Sequence, residues 1–199
     1  MRESIRYVGD LSKADAAVLE HYSHMASAIL EFGAGASTQI FAQANPSALI
    51  SVETDPSWVE RTQVNLKTLK IKKEVQFHSP DTAPRRKYDL IFVDGRWDLR
   101  QAFALEWWPY LSENGFMIFH DTRRWFDADN VAVILKNYHN EIESIHVNYA
   151  LSSEYGRSNC TIIRKGEKIE YQKWNEVEGK EPWMWGDGEP QELERWPTV

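Results

Sequence analysis

The chain has 199 residues, a size that suits one domain and poorly suits two, and its 42% hydrophobic and 13% aromatic content is ample for a core. A formal charge of −7 and a sequence pI near 5.4 argue against a surface built to grip phosphate backbones, so nucleic acid is disfavoured as a partner. A single cysteine, Cys160, excludes an intramolecular disulfide and a Cys-rich zinc site; without a charged-then-apolar leader or an apolar run near the ~18 residues of a membrane span, a soluble cytoplasmic protein with no membrane partner is expected.

Ser12 with Asp15 three residues later gives an N-cap pair, and Ala16, Leu19 and Tyr22 follow at helical spacing. Ala28, Ile29, Leu30 and Phe32 then form an apolar run of the kind that ends a buried strand. Gly33-Ala34-Gly35 predicts a tight turn where backbone approaches a ligand with no Cβ in the way, and Ser37 and Thr38 open the next helix, so unpaired N–H groups are expected to face one space. Thr38 stands where a dinucleotide fingerprint has its third glycine, and no lysine follows as in a P-loop.

Leu49 to Val52 is a short strand ending in Glu53, 18 residues past Gly35, close to the spacing at which a carboxylate meets ribose hydroxyls. The competing reading of Glu53 is a solvated strand-end acid. Asp55-Pro56 starts a helix whose buried stripe is Val59, Thr62, Leu66 and Leu69, with Trp58 packing at its start. Val75 and Phe77 alternate with polar residues as a third strand that runs into Ser79-Pro80-Asp81. Tyr88 to Val93 is a fourth strand closing on Asp94-Gly95-Arg96, and Asp98 with Gln101 predicts the cap of the helix carrying Ala102, Leu105 and Trp108. Gly115 to Phe119 is a fifth strand, which delivers His120-Asp121-Thr122 at its carboxyl end; Asp94 arrives at the same edge. A helix with Val131, Ile134, Leu135 and Tyr138 and strands around Ile145–Tyr149 and Cys160–Ile163 complete the pattern, with Cys160 expected as an inert core thiol.

The Glu-x-Gly-x-Gly loop and the order of elements resemble the class I S-adenosylmethionine-dependent methyltransferases over about residues 10 to 165, and Leu-Glu-Phe-Gly-Ala-Gly-Ala-Ser-Thr, Ser-Val-Glu-Thr-Asp, Val-Asp-Gly-Arg and Phe-His-Asp resemble, more narrowly, a bacterial group of small methyltransferases. The resemblance implies an α/β, Rossmann-like fold with a seven-stranded, mostly parallel sheet, helices on both faces and the last strand inserted antiparallel beside the fifth. It implies that Glu31 lies near the methionine part of S-adenosylmethionine, and that Phe32, Gly33, Ala34, Gly35, Ser37 and Thr38 lie along the cofactor. Glu53 and Thr54 would follow at the ribose, Ser79 or Asp81 near the adenine amino group, and Asp94 at the reacting end. Ser79 and Asp81 equally suit a plain turn.

For an oxygen nucleophile a base or a metal must remove a proton. His120 is the candidate base because an imidazole titrates near neutrality, the alternative being a histidine that hydrogen-bonds backbone. Asp94 and Asp121 resemble two magnesium-holding carboxylates of catechol-type O-methyltransferases; Thr122 replaces the asparagine that completes that set, which counts against a divalent cation. Arg96 is expected either to meet an anionic acceptor or to pair with Asp94 or Asp98, and Arg123 and Arg124 are further anion-binding candidates or solvated charges.

Residues 1–165 thus form the expected methyltransferase domain, and residues 166–199 an acidic tail carrying Trp174, Trp183, Trp185 and Trp196 that packs on the body, covers the substrate or makes a homodimer contact. The expected activity is methyl transfer to oxygen or nitrogen of a small molecule. Competing classes are a cofactor-binding module without catalysis and a nicotinamide oxidoreductase.

Overall fold

The computed structural model describes residues 6–151 and 156–167, so the tryptophan-bearing tail lies outside the described residues. Twelve main elements follow in order: α1 (Lys13–Ser23), β1 (Ala28–Phe32), α2 (Ala36–Ala44), β2 (Ala48–Val52), α3 (Pro56–Thr68), β3 (Gln76–His78), β4 (Tyr88–Val93), α4 (Arg100–Trp107), β5 (Leu111–Phe119), α5 (Trp125–Tyr138), β6 (Ile142–His146) and β7 (Thr161–Lys165). The sheet order is β3-β2-β1-β4-β5-β7-β6, parallel through β5, with β7 antiparallel to both β5 and β6. The chain therefore has the expected sheet, and the chain order reverses between β1 and β4, the place where open parallel sheets bind ligands.

Strand alternation explains why both faces carry helices. In β1 and β4, Leu30, Phe32, Ile91 and Val93 face a core shared with Phe103, Trp107, Val131 and Leu135 of α4 and α5. Ile29, Leu90 and Phe92 face the opposite core, closed by Leu19, Ile40, Phe41 and Leu66 of α1, α2 and α3. Both faces of these strands are buried, as their continuous apolar runs require. Cys160 is buried in the second core, and burial pushes its thiol pKa up.

As the turn residues suggest, residues 79–87 between β3 and β4 form an irregular connection, held by the Thr82 hydroxyl, which accepts from the Ser79 N–H. Three local expectations are corrected. Asp98 does not cap α4, whose N-cap is Leu99 without a side-chain bond, because Asp98 is held by both nitrogens of the Arg96 fork at 2.7 and 2.5 Å. Strand β5 begins at Leu111, four residues before Gly115. Trp58, expected to pack at the start of α3, is 47% exposed there, beneath Arg61. No helix among the described residues is long and apolar enough to cross a membrane.

Candidate active site

A cavity of about 540 Å³ opens at the carboxyl edge of the sheet. Its wall takes Gly33 to Ser37 from the loop after β1, Glu53, Thr54 and Asp55 after β2, Asp94 to Trp97 after β4, Arg100 from α4, Asp121 after β5, and also Asp10, Leu11, Trp58 and Arg124. A wider depression on the opposite edge, of about 710 Å³, is ringed by Lys70, Lys72 and Lys73 near the carboxyl ends of α1, α2 and α3. Lysines there answer the negative ends of helix dipoles, so that depression has a structural explanation.

The loop after β1 is built by close approach of backbones. Gly33 has φ of +100°, and a Cβ on it would stand 2.6 Å from the Gly95 nitrogen. The Gly33, Ala34 and Gly35 N–H groups, expected to be open, are all taken: they donate to Val52 O (2.9 Å), Glu53 Oε2 (3.0 Å) and Thr38 Oγ1 (2.9 Å). Glu53 Oε1 also accepts from the N–H of Thr54 and Asp55, so this carboxylate shapes the loop as well as facing the cavity.

Glu31 is turned away from the cavity and is 0% exposed. Ser37 Oγ donates to its Oε1, and Thr38 Oγ1 and Ser51 Oγ donate to its Oε2 at 2.6 and 2.8 Å. Burial pushes its pKa up to about 7 against the pull of those three hydroxyls. Phe32 is likewise buried, stacked on Phe103 at 4.4 Å between ring centroids, and Ser79 and Asp81 lie off the cavity wall. Of the residues expected along the cofactor, Gly33, Ala34, Gly35, Ser37, Glu53, Thr54 and Asp94 line the cavity.

The far wall is a network of charges that no single motif reveals. Arg100, only 7% exposed, donates from Nε to Gly95 O at 2.8 Å, from one terminal nitrogen to Asp127 Oδ1 at 2.7 Å, and from the other to Asp94 Oδ1 at 2.9 Å. The first of those nitrogens also lies 3.4 Å from Asp121 Oδ2, which Arg124 holds from the other side. Arg124 donates to Asp127 Oδ2 as well, at 2.8 Å. Behind Asp94, His120 points Nδ1 at Asp94 Oδ1 (3.1 Å) and Nε2 toward Asp15 Oδ2 (3.5 Å), the second contact an ion pair without hydrogen-bond alignment.

These contacts correct the chemistry expected of His120. Burial opposes its charge, yet Asp94, Asp15 and Asp121 outweigh burial and push its pKa up to about 10. At neutral pH it is an imidazolium and has no lone pair with which to take a proton, and it does not line the cavity.

Nor do the residues present fit a divalent cation. His120, Asp94 and Asp121 converge, but their carboxylates already neutralise two guanidinium groups and an imidazolium. Thr122 is fully buried and turns its hydroxyl to Asn159 O and Thr161, away from the two aspartates. Of the two readings of Arg96, the pair with Asp98 is the one present, and Arg124, read as an anion binder or a solvated charge, is paired with Asp121 and Asp127.

A cavity at the reversal point of a doubly wound sheet, with a glycine loop on one side and a strand-end acid 18 residues later, has the form of a Rossmann-like nucleoside site. Residues 30–122, from within β1 to just past β5, match the family model of a methyltransferase domain, and the chain shares its fold with solved methyltransferases. Among solved structures, an O-methyltransferase from Bacillus cereus in complex with S-adenosylhomocysteine is 18% identical, with 78% of this chain and 83% of that chain covered at a TM-score of 0.60. The O-methyltransferase TomG from Streptomyces achromogenes, in complex with S-adenosylmethionine, is 15% identical over 80% and 83% of the two chains at 0.61. A methyltransferase-like protein from Silicibacter pomeroyi is 20% identical over 83% and 92% at 0.56. No curated protein sequence matches the chain.

Proposed function

We propose that the protein transfers the methyl group of S-adenosylmethionine to oxygen or nitrogen of a small molecule, without a metal ion. The observation that carries this reading is the loop itself: with the Gly33, Ala34 and Gly35 N–H groups already bonded and the Glu53 carboxylate beside them, it is poorly suited to a pyrophosphate and well suited to an uncharged ribose. That argues for S-adenosylmethionine over a nicotinamide dinucleotide. Glu53 holds the ribose hydroxyls, the loop backbone supports the nucleoside, and the methyl group points to the side walled by Asp94, Gly95, Arg96 and Trp97.

Methyl transfer from a sulfonium is an in-line displacement. The acceptor's lone pair forms the new bond to the methyl carbon, the carbon–sulfur bond breaks toward sulfur, and the acceptor's proton leaves to a base or water. What the protein must supply is alignment. Asp94, fixed by Arg100 and His120, is the group placed to orient the acceptor's hydrogen, and His120⁺ acts only through Asp94.

Neither Arg96 nor Arg124 is free to bind an anion, so the reading of the acceptor is a neutral or cationic small molecule. A thermal-shift panel tests the function: S-adenosylmethionine and S-adenosylhomocysteine should raise the melting temperature and NAD and NADP should not. Stabilisation by the dinucleotides alone would overturn it.

A further inference from the structure

Resting on the cofactor reading above, we propose that Asp10, carried on a strap of residues 6–11, is the partner of the α-ammonium group in the methionine part of the cofactor. Glu31, the acid that the resemblance associates with that part of the ligand, is sealed inside the protein by three hydroxyls. That leaves the ammonium to another acceptor on the cavity wall.

The strap is held in place by two glutamines one helical turn apart on α2. Gln39 Oε1 accepts from Val8 N at 2.8 Å while its Nε2 donates to Val8 O at 2.9 Å, and Gln43 repeats the pair with Arg6 N (3.3 Å) and Arg6 O (2.7 Å). One helical turn rises about 5.4 Å and two extended residues about 6.6 Å, so side-chain amides at i and i+4 mimic a neighbouring β-strand. Gly9 then crosses α2 with φ of +146°, and a Cβ there would stand 2.9 Å from the Ala36 Cβ. No other residue type makes that approach without a shift. Three residues later Ser12 caps α1, so Asp10 and Leu11 sit on a short span fixed at both ends and line the cavity beside the Gly33–Gly35 loop.

Five acids line this cavity, and four are engaged. Glu53 accepts three N–H groups, Asp55 caps α3, Asp94 is held by Arg100 and His120, and Asp121 by Arg100 and Arg124. Asp10 has no hydrogen bond or ion pair with any described residue. S-adenosylmethionine brings two cations, the sulfonium and the α-ammonium, and the ammonium is the one with N–H donors to give. An anchored, unengaged carboxylate on the loop side of the cavity is its complement.

The test is isothermal titration of the full chain and of Asp10→Asn with two ligands, S-adenosylhomocysteine and 5′-methylthioadenosine, which shares the nucleoside and sulfur but lacks the ammonium and carboxylate. Asp10→Asn should weaken S-adenosylhomocysteine about tenfold, the scale of one charge-assisted hydrogen bond, and leave methylthioadenosine within about twofold. Unchanged affinity for S-adenosylhomocysteine, or equal loss for both ligands, overturns the assignment while leaving the cofactor reading in place. Failure of the unaltered protein to bind either ligand overturns both.

Discussion

The two walls of the cavity are made of different materials. The proposed nucleoside side is built on backbone: glycines at contact distance and N–H groups bonded to a carbonyl, a hydroxyl and a carboxylate, with the separate acids Asp10, Glu53 and Asp55 along it. The opposite side is side chain, with Asp15, Asp94, Asp121 and Asp127 interlocked with Arg100, Arg124 and His120. A wall of backbone tolerates no added atom, whereas a wall of charges tolerates no missing one. The first therefore fails by steric strain and the second by uncompensated burial.

Removing Arg100 sharpens the contrast most. Arg100→Met leaves three carboxylates without their buried partner, and a loss of about 3–5 kcal/mol in unfolding free energy is expected by urea denaturation. A loss below ~1 kcal/mol would mean that the cluster is solvated.

The next effect is on pH. The unfolded chain releases the His120 proton near 6.5 and the folded chain holds it to about 10, so the stabilisation is complete below 6.5 and is lost as pH rises through 10. The buried Glu31 titrates in a lower window, from 4.5 to about 7, with the opposite consequence for its charge: folding favours the protonated acid, so its contribution also declines as pH rises, but it is over before pH 8. Melting temperatures recorded from pH 7.5 to 10 should thus fall in the parent protein and fall less in His120→Gln. Parallel curves would dismiss the imidazolium.

On the backbone side the expected effects are on binding. Glu53→Ala removes the carboxylate proposed to hold the ribose and a clamp from Ala34, and should weaken S-adenosylhomocysteine by roughly 1–3 kcal/mol in calorimetry. Glycine substitutions separate fold from ligand. Gly35 has no atom within 4 Å of where a Cβ would be, so Gly35→Ala should fold normally, within about 0.5 kcal/mol, yet bind cofactor less tightly if the ligand lies on that surface. Equal affinity would move the nucleoside elsewhere. The smallest effect is the absence of one: EDTA should leave both cofactor binding and methyl transfer unchanged, and a metal-restored activity would contradict the misfit of Asp94, Asp121 and Thr122.

This division also explains what could be read from sequence. Strand–loop–helix segments announce themselves because apolar runs and glycines act locally, and β1, β2, β4 and the Gly33–Gly35 loop were legible for that reason, as was the antiparallel last strand through the resemblance. The charge network was not, because its members come from α1, α4, α5 and two strand ends, and Asp15 looks like a capping acid and nothing more. One signal was available. Arg100 stands three, four and seven residues before Phe103, Ala104 and Trp107, which places a guanidinium on the buried stripe of α4, where only a paired charge survives. His120 departs from the expected base for a related reason: its ordinary pKa says little once three carboxylates surround the ring.

The carbonyl of Phe32 accepts from both Asp94 N (2.9 Å) and Gly95 N (2.6 Å), while the next residue, Gly33, donates to Val52 O. One peptide thus ties the ends of three strands together at the floor of the cavity. On the proposed reading, cofactor and acceptor rest on loops that share this one tie, so the angle of attack on the methyl carbon would be set by the sheet, while rim side chains such as Trp97, 70% exposed, stand outside it.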